Sequence, residues 1–588
     1  MAHASESARP LKPIMTAIKH ICELESLRED NGTVWLLLLP AGRRIADSER
    51  GIDWQKHLKR LAARTGKNSI VAILTSPEDA AETLPNLTDI LKFQLWVAVK
   101  SRGDRAAAST RLMENHAALL ILSRYTDSLC HTKTRIAYTF CPHCDKTTKD
   151  YGGKKHTYHE YGTLISDVWR DIQVDNRELP DRIITRLSDL FGLDSLSDLQ
   201  IVDLRNCDSL KPSSIARSTL YDECRLEYFE NSRLIRGESL AELRKMPNDC
   251  VDFCFADPPY NLEKKYDIWD DALTVNNYLN WCSDWIRELA RVLRRGGTCA
   301  VLNIPSLAVK HFHQMKSAGL TFQNWIVWEG LSLPVRMIMP AHYSIVCFSK
   351  GVPRPLSGLR AAESSIENDA LFALKEFYCV RQTCVQSRKT TRAVDREQIT
   401  DLWWDIHRLK HNSRRVDHPC QLPPALMYRL IALFTHPGEV LLDPFNGAGT
   451  TSLCAEVMGR KYIGIELSEK YHSLALSRHQ LLRNGDDPFG KRSSIPKAKN
   501  SRVKRIGTAK YEVSKKKLQL EVKRISTDLQ RLPTREDLEK LSVYPIRMYD
   551  EYFINWGEVC AAARTTGMTE NRKPVINHKI DEQKMLFE

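Results

Sequence analysis

Four consecutive residues, Asp257, Pro258, Pro259 and Tyr260, combine a carboxylate, two rigid imino acids and an aromatic ring. They follow the apolar run 251–256, which predicts a short buried β-strand that the prolines end. In an open α/β sheet, ligands bind at the carboxyl ends of the strands. Asp257 and the Pro258 carbonyl can accept hydrogen bonds from an exocyclic amine, and Tyr260 can stack on its ring. The tetrapeptide therefore indicates chemistry on a flat amine, although alone it also fits a turn that ends a strand.

A second stretch has the composition of a nucleoside-binding turn. The apolar run 440–442 predicts a strand that ends at Asp443, and a glycine-containing turn then precedes a helical run. Gly447 and Gly449 let the backbone pass close to a ligand at the helix N-terminus. The next predicted strand ends at Glu466, at the usual interval for a carboxylate that binds ribose hydroxyls. Strand, glycine turn, helix, strand and acid together predict a nucleoside cofactor.

Together these stretches resemble the amino-group DNA methyltransferases that use S-adenosylmethionine. The catalytic motif precedes the cofactor motif, which is the permuted β order of that family, and the similarity spans roughly residues 228–482. The resemblance implies a Rossmann-like α/β methyltransferase sheet with catalysis by the tetrapeptide 257–260. It also implies a cofactor site, with the following residues: Glu238, His418, Pro419, Asp443, Phe445, Asn446, Gly447, Gly449, Thr450 and Glu466.

The chain departs from the family pattern at two of these places. Glu238 stands where the family often has Asp. His418 and Pro419 open a segment that resembles the helix-start motif contacting the methionine part of the cofactor, but Leu422 stands where the family often has Lys.

The target base follows from the first residue of the tetrapeptide. In this family an Asp there is usual for adenine targets, whereas cytosine-N4 enzymes usually carry Ser. The resemblance therefore implies N6-adenine methylation of double-stranded DNA, in restriction-modification or phage defence, with a restriction or defence protein as a partner. Cytosine-N4 methylation is the nearest alternative. In the related enzymes that methylate glutamine or RNA, the cofactor turn normally precedes the catalytic motif. Here Gly447 follows Tyr260, which disfavours that alternative. The intact motifs disfavour a non-catalytic DNA-binding protein.

The order of strands in the catalytic region has echoes earlier in the chain. Residues 93–99 resemble 322–328, residues 113–124 resemble 339–350, and residues 164–172 resemble 398–406. In that alignment residues 39–42 stand where 257–260 stand, without the carboxylate and the ring. We therefore expect an internal duplication whose first copy is degenerate.

A cysteine pair lies inside the first copy. Cys141 and Cys144 are followed by His156 and His159, a composition typical of a structural zinc site. His143 and Cys130 are alternative ligands. In the second copy, Cys379 and Cys384 have a looser spacing and suggest no site by themselves.

The C-terminal part is basic and then helical. Between residues 491 and 524 there are thirteen Lys or Arg and two Glu, a composition that can bind phosphates. Residues 531–564 resemble the homing-endonuclease-associated repeat, a small helical DNA-binding unit. An accessory helical tail is the alternative.

Composition agrees with these expectations. The 588 residues carry a net charge of +13, with 42% hydrophobic residues and 16 cysteines. We expect reduced thiols or metal ligands in a cytoplasmic protein without a membrane span. The predicted domains are a polar segment 1–30, a degenerate methyltransferase-like domain 31–205, a catalytic domain 206–485, a basic linker 486–525, and a helical repeat with its tail 526–588.

Overall fold

The protein is represented by a computed structural model. It describes residues 34–39, 54–64, 69–102, 110–124, 134–136, 138, 140–141, 143–147, 163–175, 178–193, 199–205, 232–261, 273–330, 338, 340–356, 370–374, 384, 387, 396–406, 409, 416, 421–490, 513, 515–553, 556 and 559.

The strands of the first half form one large sheet and two small hairpin-like pairs. They are β1 (Val34–Leu38), β2 (Ile70–Thr75), β3 (Lys92–Ser101), β4 (His116–Ser123), β5 (Arg135–Ile136), β6 (Phe140–Cys141), β7 (Lys146–Thr147), β8 (Thr163–Leu164), β9 (Val168–Val174) and β10 (Leu199–Asp203).

The second half contains a larger sheet and one further pair. Its strands are β11 (Arg233–Arg236), β12 (Val251–Ala256), β13 (Leu293–Asn303), β14 (Thr321–Trp328), β15 (Tyr343–Ser349), β16 (Phe372–Leu374), β17 (Arg396–Gln398), β18 (Leu402–Trp403), β19 (Val440–Asp443) and β20 (Lys461–Glu466).

Helices cover the sheets and make up the C-terminal unit. They are α1 (Trp54–Arg64), α2 (Pro77–Leu87), α3 (Asp181–Phe191), α4 (Ser239–Arg244), α5 (Val275–Val292), α6 (Pro305–Ser317), α7 (Pro424–Phe434), α8 (Thr450–Val457), α9 (Glu469–Arg483), α10 (Lys515–Leu529), α11 (Arg535–Leu541) and α12 (Ile546–Tyr552). None of the described helices is long and apolar enough to cross a bilayer.

The two large sheets share one strand order. The first sheet runs β10-β1-β2-β4-β3-β9, and the second runs β11-β20-β19-β12-β13-β15-β14-β18. Without β11 and β20, every strand of the second sheet has a counterpart in the first with the same neighbours and the same relative direction. Even an irregularity recurs, between Phe93 and Leu95 in β3 and between Phe322 and Asn324 in β14.

Two buried histidine–aspartate pairs connect the halves. His116, which opens β4, places Nδ1 2.9 Å from Oδ2 of Asp401 in the second half. His342, just before β15, places Nδ1 3.1 Å from Oδ2 of Asp167 in the first half. His116 and His342 are equivalent residues of the two halves, and so are Asp167 and Asp401. The histidine of each half therefore contacts the aspartate of the other half, which is the pattern of a two-fold interface.

Trp96 and Trp325 lie on equivalent strands and meet at this interface. Their rings are stacked, with centroids 4.5 Å apart and planes 4° apart. Both indoles are almost completely buried within one apolar core that both halves share. The halves therefore pack as one unit through their equivalent surfaces.

One predicted domain boundary changes, and two elements meet without a loop. Helix α5 ends at Val292, and β13 begins at the next residue, Leu293, and contains Gly296 at a positive φ of 77°. Helix α10 starts inside the segment predicted to be a linker, because Leu518, Val522 and Ile525 pack against the C-terminal helices.

Candidate active site

The tetrapeptide Asp257–Tyr260 lies directly after β12, as its sequence predicts. Strands β12, β19, β20 and β11 are parallel, so their carboxyl ends meet at one edge of the second sheet. A pocket at this edge, with about 1050 Å³ of empty space including its open mouth, is lined by Asp257, Tyr260, Asn446 and Glu466, among others. The two stretches singled out by sequence therefore share one cavity.

Hydrogen bonds orient the tetrapeptide. Tyr260 Oη donates to Asp257 Oδ1 over 2.8 Å, and Tyr278 Oη donates to the Pro259 carbonyl over 2.8 Å. Tyr260 is 7% exposed and its ring lies 6.3 Å from that of Tyr343. Asp257 is half-buried, and its carboxylate is held at the rim of the cavity.

The next residue completes the turn. Asn261 has a positive φ of 56°, a conformation that Asn tolerates better than most residues. Its amide group bonds to both backbone groups of Leu273, with 2.7 Å for each contact. This double contact fixes the direction of the chain as it leaves the tetrapeptide.

The glycine turn lies opposite. Gly449 caps helix α8 at a positive φ of 80°, and a Cβ there would lie 2.9 Å from the Cβ of Ala475. Both the conformation and the close helix therefore require glycine. Gly447 also has a positive φ, 51°, and Thr450 is the first residue of the helix and lines the pocket.

Glu466, at the end of β20, is held by main-chain donors. Its Oε2 accepts from the Gly447 amide over 2.8 Å, and its Oε1 accepts from the Ser468 amide over 2.8 Å. These two main-chain bonds fix the orientation of the carboxylate at the carboxyl end of β20, where it lines the pocket.

Asn446 provides an observation that tests the fit of a nucleoside cofactor. Its side chain is 5% exposed, lines the pocket, and has neither amide atom bonded to a described residue. A Cβ on Gly464 would approach the Asn446 side chain to 2.6 Å, so that strand glycine makes room for it. A buried polar group without a partner is costly, and a polar ligand in the pocket would satisfy it.

Asp443 lies at the base of the same pocket. Burial raises the pKa of its carboxyl to about 7, although hydrogen bonds from the Thr451 hydroxyl and the Phe445 amide favour the charged form. The Phe445 amide donates to Asp443 Oδ1 over 2.9 Å. The acid therefore shapes the turn that carries Phe445.

Phe445 joins an aromatic wall on one side of the cavity. Its ring lies 5.7 Å from that of Trp281 and 5.4 Å from that of Trp285. Trp281 lines the pocket, although the sequence analysis gives it no role. Its spacing from Tyr278 and Trp285 on one face of α5 is the pattern from which this position could be inferred.

Glu238 lines the pocket but has a structural task as well. Its carboxylate caps helix α4, accepting from the amides of Leu240 over 3.0 Å and Ala241 over 2.7 Å. Both oxygens are thus engaged by the protein. Neighbouring Ser239, which sequence reasoning missed, also lines the pocket and donates to the Pro444 carbonyl over 2.6 Å.

Arg478 was also missed. Its side chain is 1% exposed, and its Nη1 donates to the carbonyl of Ala448 in the glycine turn. Its guanidinium also lies 5.3 Å from the centre of the Phe489 ring. A helix residue about thirty positions after the turn therefore supports it from behind.

Some predicted site residues lie outside the described residues: His418, Pro419, His156 and His159. Cys141 and Cys144 are described, and they lie near each other together with Cys384. The sequence does not predict that Cys384 lies close to Cys141 and Cys144.

Comparison with known proteins agrees with this geometry. A DNA methylase family model, N6_N4_Mtase, matches residues 251–477. The type II methyltransferase M.BamHI of Bacillus amyloliquefaciens is 32% identical over 248 residues, which cover 41% of this chain and 55% of that protein. The DNA adenine methyltransferase YhdJ of Escherichia coli strain K12 is 31% identical over 251 residues, which cover 42% of this chain and 83% of that protein.

Among solved structures, the cytosine-N4-specific PvuII DNA methyltransferase is 19% identical. The aligned region covers 42% of this chain and 85% of that chain, with a TM-score of 0.31. The sequence matches are sufficient: the chain belongs to the DNA methylase family of amino-group methyltransferases. The match to M.BamHI spans only about half of that protein's length.

Proposed function

We propose that this protein transfers the methyl group of S-adenosylmethionine to the N6 amine of adenine in double-stranded DNA. The observation that carries the proposal is the single pocket lined both by Asp257–Tyr260 and by the glycine turn with Glu466. A carboxylate at the head of the tetrapeptide supports adenine over cytosine, as the resemblance implies. The similarity to YhdJ, which is a DNA adenine methyltransferase by name, agrees with this choice.

The cofactor side of the pocket fits S-adenosylmethionine by its donors and acceptors. Glu466 would accept hydrogen bonds from the ribose hydroxyls, and the unsatisfied amide of Asn446 would bond a polar group of the bound molecule. Phe445 offers an apolar surface to the adenine ring. The bound cofactor supplies an electrophilic methyl group on a sulfonium sulfur.

The residues of the tetrapeptide orient the amine. The target adenine leaves the duplex stack before reaction, because its amine is not accessible there. Tyr260 Oη donates to Asp257 Oδ1 and orients this carboxylate, which together with the Pro258 carbonyl would accept the two amine hydrogens. Those bonds draw the nitrogen lone pair out of conjugation and toward the methyl group.

Positioning and electrostatics supply most of the rate. Bound S-adenosylmethionine would supply the methyl group, its sulfur would take the electron pair of the bond that breaks, and the methylated amine would become cationic. Its extra proton is then acidic and passes to Asp257 or to water. Asp257 therefore stabilises the developing charge and does not need to be a strong base.

We further infer that the first half is an inactive copy that fills the place of a partner subunit. The shared strand order, the common irregularity in β3 and β14, and the exchanged His–Asp pairs support this inference. Leu39 follows β1 where Asp257 follows β12. After β10 the sequence Leu204-Arg205-Asn206-Cys207 lacks the glycines of the cofactor turn.

The C-terminal helices are proposed to bind DNA. They form a separate small core around Leu518, Tyr549 and Phe553, and a capping box between Thr534 and Asp537 starts α11. This helical unit, together with the basic segment before it, supports the resemblance to the homing-endonuclease-associated repeat. Deleting residues 491–588 is expected to weaken DNA binding and to flatten its dependence on salt. An unchanged salt slope would contradict this role.

The test of the reaction is to identify the modified nucleoside. DNA incubated with the full chain and labelled S-adenosylmethionine is digested to nucleosides and separated. We expect label in N6-methyladenosine only. Label in N4-methylcytosine would establish the alternative, and no label on any of a broad set of DNA substrates would contradict the proposal. Long-read sequencing of DNA from expressing cells would then give the recognition site and bear on a role in restriction-modification or defence.

A further inference from the structure

Three cysteine sulfurs from distant parts of the chain converge outside the active site. The ligand atoms of Cys141, Cys144 and Cys384 all lie within 4.8 Å of one another. Cys141 and Cys384 are separated by 243 residues, and their sulfurs are 3.8 Å apart. That separation is far longer than the bond of a disulfide, roughly 2.05 Å.

The distance agrees with a shared metal ion. Two thiolates bound tetrahedrally to one zinc at about 2.3 Å lie about 3.8 Å apart. Cys141 and Cys384 are 1% and 4% exposed, and Cys144 is half-buried. The three cysteines pack together in one small buried cluster.

The local backbone has the shape of a metal-binding knuckle. Phe140–Cys141 pairs antiparallel with Lys146–Thr147, and Asp145 closes the turn at a positive φ of 52°. Cys141 therefore ends the first strand of a two-stranded hairpin, and Cys144 lies in the turn between its strands. Phe140 is 49% exposed, so this small hairpin has little apolar core of its own to hold its shape.

Cys384 comes from the other half of the molecule. It lies in the connection between the paired strands β16 and β17 of the catalytic half. A second contact accompanies it, since His143 Nε2 and Ser387 Oγ are 3.3 Å apart. The hairpin of the first half and this connection thus meet at the cysteine cluster.

We propose that Cys141, Cys144 and Cys384 bind one structural zinc ion that joins the hairpin of the first half to the connection in the catalytic half. This assignment replaces the predicted set of Cys141, Cys144, His156 and His159 by one that crosses between the halves. Binding releases the thiol protons, and the three thiolates suit zinc, which prefers sulfur ligands in structural sites. The metal's binding energy then stabilises the contact between the halves.

The test uses the full chain loaded with zinc under reducing conditions and then freed of unbound metal. Elemental analysis should give about one zinc per chain for the wild type. Cys384→Ser should lower that value below half, whereas Cys250→Ser should leave it unchanged. Cys250 is a matched control, because it is equally buried, lies outside the cluster, and donates to the Pro247 carbonyl over 3.1 Å, which a serine can also do.

X-ray absorption at the zinc edge of the wild type decides the ligands without any variant. We expect three or more sulfur neighbours at about 2.3 Å. A shell of two sulfurs and two nitrogens, or full zinc content in Cys384→Ser, would overturn the proposal in favour of a site within the first half. Absence of bound zinc from the loaded wild type, or a Cys141–Cys384 disulfide in its place, would overturn it as well.

Discussion

The two halves of this chain have one architecture but different edges. At the edge of the second sheet, Asp257 follows β12 and an unoccupied hydrogen-bonding capacity remains on Asn446. At the corresponding edge of the first sheet, Leu39 is 5% exposed and stands in place of the carboxylate. The core of a sheet can therefore persist while the few residues at its carboxyl edge lose their chemistry.

The acids that end the equivalent strands β19 and β10 show the same contrast. Asp443 is buried, no cation among the described residues contributes to its pKa shift, and burial raises its pKa to about 7. Asp203 instead forms a two-point ion pair with Arg205, with contacts of 2.9 and 2.8 Å. An arginine thus occupies the first copy where the second carries the cofactor turn, and it neutralises the acid locally.

Both halves retain an equivalent set of structural contacts. Trp169 and Trp403 each donate from Nε1 to the carbonyl three residues earlier, over 2.8 and 2.7 Å. Arg186 and Arg429 each form a bidentate pair with an aspartate of the same half and stack over one of those indoles. Contacts that stabilise each half are therefore duplicated, whereas contacts that would bind a substrate are present once.

The largest expected effect separates the two edges by activity. Asp257→Ala removes the only carboxylate that the two equivalent positions offer, so methyl transfer to DNA should fall by about 10²- to 10⁴-fold. Affinity for S-adenosylmethionine should change little. A labelled-methyl assay with calorimetry measures both. Near-wild-type turnover would mean that Asp257 is not the catalytic residue or that the first copy is active.

The second prediction tests the two-fold interface. Asp401→Ala and Asp167→Ala each leave a buried histidine and a main-chain amide without their acceptor. Leaving a buried hydrogen-bonding group without its partner in this way costs roughly 1–3 kcal/mol for each group. Both variants should therefore lose stability to a similar degree in thermal or urea unfolding. A large loss in one and none in the other would show that the halves do not contribute equivalent contacts.

A smaller effect is expected from the glycine turn that only the second copy has. Gly449→Ala places a Cβ against Ala475 at a positive φ, so affinity for S-adenosylmethionine should fall about tenfold or more, equal to about 1.4 kcal/mol. Gly459→Ala is the matched control, because Gly459 has a positive φ of 69° with open space around it. Calorimetry showing equal affinity for both variants would contradict the role of the turn.

The smallest predicted effect concerns Asp443 and pH. Its folded pKa of about 7 exceeds the ordinary value, so the folded state keeps a proton that the unfolded chain releases. Stability contributed by this group is therefore lost as pH rises from about 4 to about 7. Asp443→Asn should therefore gain a few degrees in Tm over the wild type, and this gain should grow as the pH rises from about 4 to about 7. Asp203→Asn, which loses its ion pair, should show no such gain.

The sequence predicts the strands around the candidate site correctly. Short apolar strands, prolines and glycines have local signatures, so the strands before Asp257 and Asp443 and the strand ending at Glu466 are found as predicted. The echoes between the halves also correspond to equivalent strands. These features depend on residues that are neighbours in the chain.

The remainder depends on long-range contacts without a local pattern. Nothing near Arg478 indicates that it supports the Ala448 carbonyl, and nothing near Cys384 indicates Cys141 as its neighbour. Glu238 was assigned to the cofactor by resemblance, while its carboxylate also caps α4. The exchange of His116 and His342 between the halves likewise becomes visible only when the sheets are packed together.

The central claim is that two equivalent halves contain one working site. Titration of the full chain with S-adenosylmethionine in a calorimeter tests it most directly, with Glu466→Ala as the paired variant. We predict one binding site per chain and greatly weakened binding in the variant. Glu466, the acid at the end of β20, and the glycine turn 446–449 both lie in the second half. Two sites per chain, or one site that survives Glu466→Ala with unchanged affinity, would contradict it.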